Sequence, residues 1–195
     1  MLATRNFILD KCRKKRAEEI VALIKPHIVG SVLDIGAGHC YISSALSKEF
    51  PQVTPIDITN YSLTELTPLL FDGTTLPFED CSYGTALLLF VLHHSDEPMV
   101  LLREALRVAG TVIIMEDVYT NMINKTTNML FDSLINLDFF SHPHNYCSHD
   151  TWLDTFSMPG IFLNECKTGW SRYLCFFMYQ GIYIITNSSP RPLLE

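Results

Sequence analysis

The stretch VLDIGAGHCYI, residues 32–42, places two glycines directly after an apolar run. Residues 31–35 fit a short buried strand, and the pattern from Tyr41 onward predicts a helix. Gly36 and Gly38 therefore fall in the turn between a strand and a helix. Glycine adopts positive φ in such a turn without steric cost and lets the backbone approach a ligand, while the helix presents free N–H groups. The stretch predicts a nucleotide-like cofactor at the edge of a parallel sheet.

The residues around the glycines favour one class of cofactor. A dinucleotide site has a third glycine, in the pattern GxGxxG, where this chain has Tyr41. Asp34 shortly precedes the first glycine, and its carboxylate would repel a pyrophosphate but attract a positively charged ligand. S-adenosylmethionine carries an ammonium and a sulfonium and no phosphate. The sequence therefore favours S-adenosylmethionine, and a nicotinamide oxidoreductase remains a distant alternative.

Apolar patterning along the chain predicts an α/β fold. The predicted helices cover residues 6–28, 41–50, 96–108 and 151–156, and the predicted strands cover 31–35, 53–57, 67–72, 85–92 and 110–116. Two further strands in the final third would be joined around residues 169–172 as an antiparallel pair. Strands that alternate with helices in this way form a parallel sheet with helices on both faces.

Several segments, in this order, are similar to the motifs of one enzyme family. They are VLDIGAGHC (32–40), VTPID (53–57), LLFDGTTLPFED (69–80), ALLLFVLHHSDEP (86–98), and LLREALRV followed by GTVIIMED (101–117). Together they resemble the class I S-adenosylmethionine-dependent methyltransferases, especially the small-molecule group that resembles the ubiquinone and menaquinone biosynthesis methyltransferases. The resemblance implies a Rossmann-like, mostly parallel seven-stranded sheet with an antiparallel last strand. It also implies S-adenosylmethionine as the methyl donor and S-adenosylhomocysteine as the product.

The resemblance also implies which residues contact the cofactor, and most of them follow the ends of predicted strands. They are Asp34, Gly36, Gly38, Asp57, Ile58, Asp72, Gly73, Thr74, Leu89 and Phe90. The glycine turn would hold the methionine end of the cofactor. Asp57 would accept hydrogen bonds from both ribose hydroxyls, and Asp72 would accept one from the adenine amino group.

Candidate catalytic residues follow the fourth predicted strand. His93 and His94 stand where the transferable methyl group is expected, and histidine suits a general base near neutral pH. A base would help a hydroxyl or amine acceptor, although both residues also fit a purely structural loop. Glu116 and Asp117 end the fifth strand at the same edge, where they would meet an acceptor or stand as ordinary strand-end acids.

The loop SHPHNYCSHD, residues 141–150, is rich in metal-ligating residue types. Its spacing matches no familiar zinc pattern, so we expect no metal. In the resembled family this region forms part of a lid over the substrate, which would make His144, Asn145 and Tyr146 candidates for binding the acceptor. A polar surface loop is the alternative.

Composition and charge limit the other function classes. The length suits one domain over residues 1–195, with a leading helix in residues 1–29 and a substrate lid in 119–157. Residues 1–25 hold seven basic and three acidic groups, and the remainder is acidic, which disfavours general nucleic-acid binding. The basic run at 11–16 is either a solvated helix face or a contact for an anionic partner.

The sequence predicts a soluble protein of the cytoplasm. No stretch is long and apolar enough for a comfortable membrane span. The six cysteines form no CxxC pair, which favours reduced thiols inside the cell. The expected function is transfer of a methyl group from S-adenosylmethionine to a small-molecule partner, with the oligomeric state left open. A non-catalytic scaffolding subunit is the main alternative, because Cys40 replaces a usual glycine and the segment after Asp57 is short.

Overall fold

The computed structural model describes residues 2–120, 125–126, 146–173 and 176–187. Its helices are α1 (Leu2–Ile24), α2 (Tyr41–Leu46), α3 (Pro98–Val108) and α4 (His149–Phe156). Its strands are β1 (Val32–Ile35), β2 (Val53–Asp57), β3 (Leu69–Leu70), β4 (Tyr83–Leu89), β5 (Ala109–Asp117), β6 (Phe162–Tyr173) and β7 (Phe176–Thr186). Short 3-10 turns lie at Lys25–His27 and Leu92–His94.

In the described part of the chain, the strands form one seven-stranded sheet in the order β3-β2-β1-β4-β5-β7-β6. The pairs from β3 through β5 are parallel, and β7 runs antiparallel to both β5 and β6. The predicted mostly parallel sheet with an antiparallel last strand is confirmed. The strand order reverses between β1 and β4, so the carboxyl ends of these two strands form the crevice where ligands bind in open α/β sheets.

Alternate residues of β1 face the two sides of the sheet, as a buried strand requires. Leu33 and Ile35 pack in a core with α3 and α4, whereas Val32 packs in a second core with α1 and α2. The buried face of α1 repeats at helical spacing, with Ala17, Ile20, Val21 and Ile24 all nearly inaccessible. Burial of each of the Ile and Val side chains stabilises the fold by about 1.5–3 kcal/mol, so α1 is held firmly against its face of the sheet.

Several predicted boundaries differ from the structure. β4 ends at Leu89 rather than at residue 92, because Phe90 turns into the left-handed region with φ +61°. The predicted turn at 169–172 is wrong: β6 continues to Tyr173, and Gly169 pairs with Gln180 inside the ladder. Residues 58–68, all of them described, contain no helix, and β3 spans only two residues.

The segment predicted to form the lid is described only at 119–120, 125–126 and 146–157. Within it, Tyr119 forms a parallel bridge with Ser148, directly before α4. Ser148 caps α4 by accepting a hydrogen bond from the backbone N–H of Thr151. None of the helices in the described ranges has the length and apolar character needed to cross a bilayer.

Candidate functional site

The glycine turn after β1 uses its two glycines for different purposes. Both have positive φ, +70° at Gly36 and +50° at Gly38. A Cβ at Gly36 would lie 2.5 Å from Cγ2 of Val91, so this position is closed by the chain that leaves β4. A Cβ at Gly38 would meet no protein atom within 4 Å. Gly36 thus permits close packing within the protein, and Gly38 borders open space.

Cys40 stands where the resembled family has a further glycine, and it keeps the backbone conformation of one. Its φ is +60°, in the left-handed region, and its side chain is buried. The thiol Sγ lies 3.8 Å from the carbonyl oxygen of Gly38, and burial raises the pKa of the thiol. The departure from the family pattern therefore changes the side chain while the turn keeps the shape that a glycine would give it.

Asp57, at the carboxyl end of β2, connects the glycine turn to the next strand. Its Oδ2 accepts a hydrogen bond from the N–H of Gly38 at 2.7 Å, and its Oδ1 accepts one from the N–H of Ile58 at 2.7 Å. The side chain is 6% exposed. The N–H of Thr59 also donates to Oδ1, at 3.5 Å. A carboxylate has lone pairs beyond these three bonds, so it keeps acceptor capacity toward a ligand.

The Asp72 turn lies against the residue that follows Asp57. A Cβ at Gly73 would lie 3.2 Å from Cγ2 of Ile58, whose side chain is half-exposed. Oδ1 of Asp72 accepts hydrogen bonds from the N–H groups of Thr75 at 2.7 Å and Thr74 at 2.8 Å, which hold the pKa of this carboxyl below its usual value. We call residues 34–40, 57–58 and 72–74 the cofactor side, since the structure brings these predicted cofactor contacts together.

Asp34 is the buried carboxyl of the cofactor side. It is 2% exposed and points toward α2, where its Oδ2 accepts a hydrogen bond from Oγ of Ser43 at 2.5 Å. Burial raises the pKa of Asp34 to about 6, and the nearby Asp57 charge acts in the same direction. A cation beside Asp34 would relieve this cost, which fits the ammonium predicted from the sequence.

Glu116, at the end of β5, organises the chain that leaves β4. Its Oε1 accepts hydrogen bonds from the N–H groups of Val91 at 3.1 Å and Leu92 at 2.8 Å. Its Oε2 lies 2.5 Å from Nδ1 of His93, and both side chains are buried. A backbone hydrogen bond also joins this segment to β5, since the N–H of Phe90 donates to the carbonyl of Met115 at 2.7 Å. The sequence predicted Glu116 as an acceptor contact or an ordinary strand-end acid, and it gave no sign that Glu116 fixes the chain that leaves β4.

The two predicted catalytic histidines lie beside Tyr146, one of the predicted acceptor-binding residues. The ring of His93 lies 4.0 Å from that of His94 and is stacked on Tyr146 at 4.8 Å. Tyr146 is 4% exposed. The other two acceptor candidates, His144 and Asn145, lie outside the described residues. We call residues 91–94, 116–117 and 146 the acceptor side. Leu89 and Phe90, the two remaining predicted cofactor contacts, lie at the end of β4 and directly after it, between this side and the glycine turn.

His149, the last histidine of the polar loop, lies apart from this site. Its Nδ1 is 2.8 Å from the hydroxyl of Tyr183, and the two rings are stacked. Within the described ranges, no group of three or more His, Cys, Asp or Glu residues is arranged to hold a metal ion.

Asp117 connects the acceptor side to α1. Burial raises the pKa of Asp117 to about 6, and Nε2 of Gln180 donates a hydrogen bond to its Oδ1 at 2.7 Å. Oε1 of the same glutamine accepts from Nη2 of Arg16 at 2.5 Å. Arg16 and Gln180 were missed by sequence reasoning, because no local pattern pairs residues 164 positions apart.

Comparison with known proteins supports the same family. Residues 33–113 match the family model of the methyltransferase domain. Among curated proteins, no sequence matches this chain significantly.

Solved structures share the fold across most of the chain. A candidate methyltransferase from Bacillus halodurans is 14% identical, with a TM-score of 0.67 over 90% of this chain and 99% of that one. The [4+2]-cyclase SpnF is also 14% identical, with a TM-score of 0.67 over 87% and 80%. Magnesium protoporphyrin IX methyltransferase from Synechocystis, solved with bound S-adenosylhomocysteine, is 16% identical, with a TM-score of 0.62 over 91% and 84%.

The matched segment runs from β1 through most of β5 and contains the glycine turn, Asp57, the Asp72 turn and the exit of β4. The described strands have the number and the directions expected from the resemblance. The chain is therefore similar to a methyltransferase domain over residues 33–113, and it shares its fold with solved methyltransferase structures.

Proposed function

We propose that this chain transfers a methyl group from S-adenosylmethionine to a small-molecule acceptor. The observation that carries the proposal is the convergence of three separate segments at the switch point of the sheet. The N–H of Gly38 donates to Asp57, and Gly36 packs against Val91. The glycine turn, the end of β2 and the exit of β4 are thereby joined into one crevice. A cytoplasmic location and membership of the ubiquinone-like group belong to the same proposal.

The described residues fit S-adenosylmethionine. The space beside Gly38 is open, Asp57 keeps acceptor capacity for ribose hydroxyls, and Ile58 presents an exposed apolar side chain beside Gly73. Asp72, in the adjacent turn, supplies a carboxylate for an adenine amino group. The chemistry that the cofactor supplies when bound is an electrophilic methyl group for in-line displacement, in which positioning provides much of the acceleration.

On the acceptor side, His93 is the candidate general base and His94 the second candidate. Glu116 holds Nδ1 of His93 in its protonated form, which leaves Nε2 as the basic nitrogen. This is the arrangement in which a carboxylate fixes the tautomer and orientation of a catalytic imidazole. A hydroxyl or amine acceptor would give its proton to His93 as the methyl group is transferred.

The leading helix and the segment 119–157 are proposed to close over the acceptor. Tyr146 would form one wall through its stacking on His93, and His144 and Asn145 belong to the same proposed lid. Exclusion of water strengthens every electrostatic interaction in such a site and selects the acceptor by shape.

Calorimetric titration with S-adenosylmethionine and S-adenosylhomocysteine tests the proposal. Asp57→Ala removes the acceptor of the Gly38 N–H and the proposed ribose contact, so binding should weaken about 10- to 100-fold, in line with charged hydrogen bonds of 1.5–3 kcal/mol. Micromolar binding by the wild-type protein that is lost in the variant would support the site. Absence of binding by folded wild-type protein would contradict the proposal.

The base assignment has its own test. His93→Ala and His94→Ala should retain cofactor binding, and the residue that acts as base should lose methyl transfer when it is replaced. A general base also imposes a pH dependence on turnover that its alanine variant lacks. Unchanged turnover in both variants would remove both histidines from the chemistry.

A non-catalytic scaffolding subunit is the second candidate. The observation that favours it is the segment 58–68, which is described throughout and contains no helix, so that the apolar side chains of Ile58, Tyr61 and Leu63 are about half exposed. Such a patch is typical of a surface that contacts another protein. Copurification of a protein partner, together with no affinity for the cofactor, would favour this function.

A further inference from the structure

The hairpin of β6 and β7 extends past the carboxyl ends of the parallel strands. The β5–β7 ladder ends at the pair of Asp117 and Gln180, and the N–H of Val118 makes one further bond to β7. The β6–β7 ladder continues beyond this point to the pair of Tyr173 and Phe176. The two strands therefore project as a ribbon from the edge of the sheet that carries the acceptor side.

One face of this ribbon carries aromatic side chains and a cation. Residues that pair across an antiparallel ladder share a face of the sheet, and the faces alternate along each strand. Trp170 pairs with Tyr179, and their ring centroids are 5.3 Å apart. Two positions further on, Arg172 pairs with Phe177, so these side chains lie on the same face. We call the four residues the hairpin face.

The aromatic rings of the hairpin face are exposed to solvent. Phe177 is 67% exposed and Trp170 is 59% exposed, and Arg172 beside them is exposed as well. In the sequence, aromatic residues stand at 170, 173, 176, 177 and 179, and Arg172 is the one charged residue between 170 and 179. Exposed aromatic rings beside a cation are typical of side chains that enter the interfacial region of a membrane.

The other face of the ribbon contacts α1. Ser171 lies between Trp170 and Arg172 in β6, so its side chain points to the opposite face. Nη2 of Arg16 donates hydrogen bonds to Oγ of Ser171 at 3.1 Å and to Oε1 of Gln180 at 2.5 Å. Arg16 is the last residue of the basic run at 11–16, so this run lies directly beside the hairpin.

The basic run supplies exposed positive charge. Lys11, Lys14 and Lys15 are exposed, and the side chains of the last two are 61% and 77% accessible. Lys14 pairs with Asp10 and Lys15 pairs with Glu19, but such surface pairs are weak and are screened by salt. The lysines therefore keep most of their attraction for an external anionic surface.

Charge is distributed unevenly along the chain. Residues 26–160 hold four basic and sixteen acidic groups, whereas residues 1–25 and 161–195, which include α1, β6 and β7, together hold ten basic and five acidic groups. An anionic surface repels the first set and attracts the second. It would therefore orient the molecule with the basic run and the hairpin toward itself.

We infer that the hairpin face and the exposed lysines of the basic run dock on the surface of an anionic lipid bilayer. The rings of Trp170 and Phe177 would enter the boundary between headgroups and acyl chains, while Arg172 and the lysines contact lipid phosphates. A bilayer receives a narrow projecting ribbon without a matching cavity, whereas a protein partner would need one. This inference is independent of the proposed methyl transfer, and it places the acceptor side next to the lipid.

Sedimentation of the full chain with vesicles tests the inference. The wild-type protein should bind vesicles of phosphatidylcholine mixed with phosphatidylglycerol at least about 10-fold more tightly than vesicles of phosphatidylcholine alone, and salt should weaken this binding. Trp170→Ala and Phe177→Ala should each weaken binding to the mixed vesicles about 10-fold, because each variant removes a ring from the lipid. Phe162→Ala is the matched control: its ring is 38% exposed at the other end of β6, and binding should stay unchanged.

The contribution of charge is tested in the same assay. Lys14→Ala combined with Lys15→Ala should weaken binding to the mixed vesicles about 10- to 30-fold, since each lysine near an anionic membrane contributes about a factor of five. Lys48→Ala removes an exposed lysine that precedes β2, at the opposite edge of the sheet, and should leave binding unchanged.

Tryptophan fluorescence gives a second readout. The chain has two tryptophans and Trp152 is buried, so a shift of the emission to shorter wavelength on addition of mixed vesicles reports on Trp170. Trp170→Phe should abolish this shift. Failure of the folded protein to bind the mixed vesicles would overturn the inference and leave the hairpin face to a protein partner. Binding that is unaffected by Trp170→Ala and Phe177→Ala, or equally weakened by Phe162→Ala, would overturn it as well.

Discussion

The cofactor side and the acceptor side of the sheet edge are built from different chemical groups. On the cofactor side, backbone N–H groups of Gly38, Ile58 and Thr74 are bound by carboxylates, and residues with positive φ give the turns their shape. On the acceptor side, the Glu116 carboxylate also binds backbone N–H groups, those of Val91 and Leu92, and it is in addition paired with a buried ionisable side chain, His93. The first side takes its shape from turns with positive φ, and the second is distinguished by its pair of buried ionisable side chains.

This difference predicts where the protein is most sensitive to substitution. Glu116→Ala should have the largest effect, because it leaves the N–H groups of Val91 and Leu92 and Nδ1 of His93 without their acceptor. Each buried polar group left unsatisfied costs about 1–3 kcal/mol, and loss of a buried charged partner costs about 3–5 kcal/mol in total. Denaturant unfolding should show a decrease of this size in the free energy of unfolding.

Glu116→Gln is the matched control for that variant. Its side-chain oxygen can still accept from the backbone N–H groups, so it should retain most of the stability. Its neutral amide fixes the tautomer of the His93 imidazole less well than the carboxylate does. Turnover and its pH profile should therefore change more than the free energy of unfolding does. A Glu116→Ala protein as stable as the wild type would show that the acceptor side is not braced in this way.

The glycine turn allows a comparison within the cofactor side. Gly36→Ala and Gly38→Ala both place a Cβ at positive φ, which costs about 1–2 kcal/mol. Only Gly36→Ala adds an overlap with Val91, and such overpacking lowers the free energy of unfolding by a further amount of about 1–3 kcal/mol. Thermal or denaturant unfolding should therefore rank Gly36→Ala as the less stable variant.

Cofactor titration should separate the two glycine variants in the opposite sense. The Cβ of Gly38→Ala would enter the open space beside the turn, where the cofactor is proposed to bind. This variant should therefore lose more affinity for S-adenosylhomocysteine than Gly36→Ala does, although it is the more stable of the two. Equal stability of the two variants would contradict the distinction drawn from Val91. Undiminished affinity in Gly38→Ala would show that the ligand does not approach this part of the turn.

Asp34 is the point where the cofactor side resembles the acceptor side, since it is a buried carboxyl. Its pKa is raised from 3.8 to about 6, so the folded state holds the proton more tightly than the unfolded chain does. The contribution of Asp34 to the stability of the folded state is therefore most favourable below pH 3.8, and it is lost as the pH rises through about 6. Asp34→Asn should stabilise the cofactor-free protein at pH 7.5 by about 1–3 kcal/mol, and this advantage should shrink toward pH 4.

Denaturant unfolding at several pH values checks this prediction, with Asp117→Asn as the comparison. Asp117 also has a pKa raised to about 6 by burial, so its variant should show the same sign. Asp34→Asn alone should weaken S-adenosylmethionine binding, because the proposed ammonium contact belongs to the cofactor side. A variant that is destabilised at pH 7.5 would mean that the Ser43 bond outweighs the burial cost.

The same contrast explains how much the sequence could predict. Asp34, Gly36, Gly38 and Asp57 were found because strand ends and glycine turns leave local patterns, and the structure places them around one crevice. The Glu116–His93 pair spans 23 positions and the Arg16–Gln180 pair spans 164, and no period or motif joins such residues before the sheet is assembled. The β6–β7 turn was misplaced for a different reason, since Gly169 was taken for a turn residue although it pairs with Gln180 inside the ladder and the strand continues to Tyr173.

The smallest expected effect concerns Cys40, where the chain departs from the family pattern. Glycine at φ +60° would remove about 1–2 kcal/mol of left-handed strain but would also lose a buried thiol, whose transfer energy is of similar size. Cys40→Gly should thus change the free energy of unfolding by less than about 1 kcal/mol and leave cofactor affinity within a factor of about three. A large gain in cofactor affinity would mean that Cys40 obstructs the cofactor, and this would strengthen the scaffolding alternative. The near-neutral result is expected because Asp57 and Val91 set the shape of the turn, so that the turn tolerates either residue.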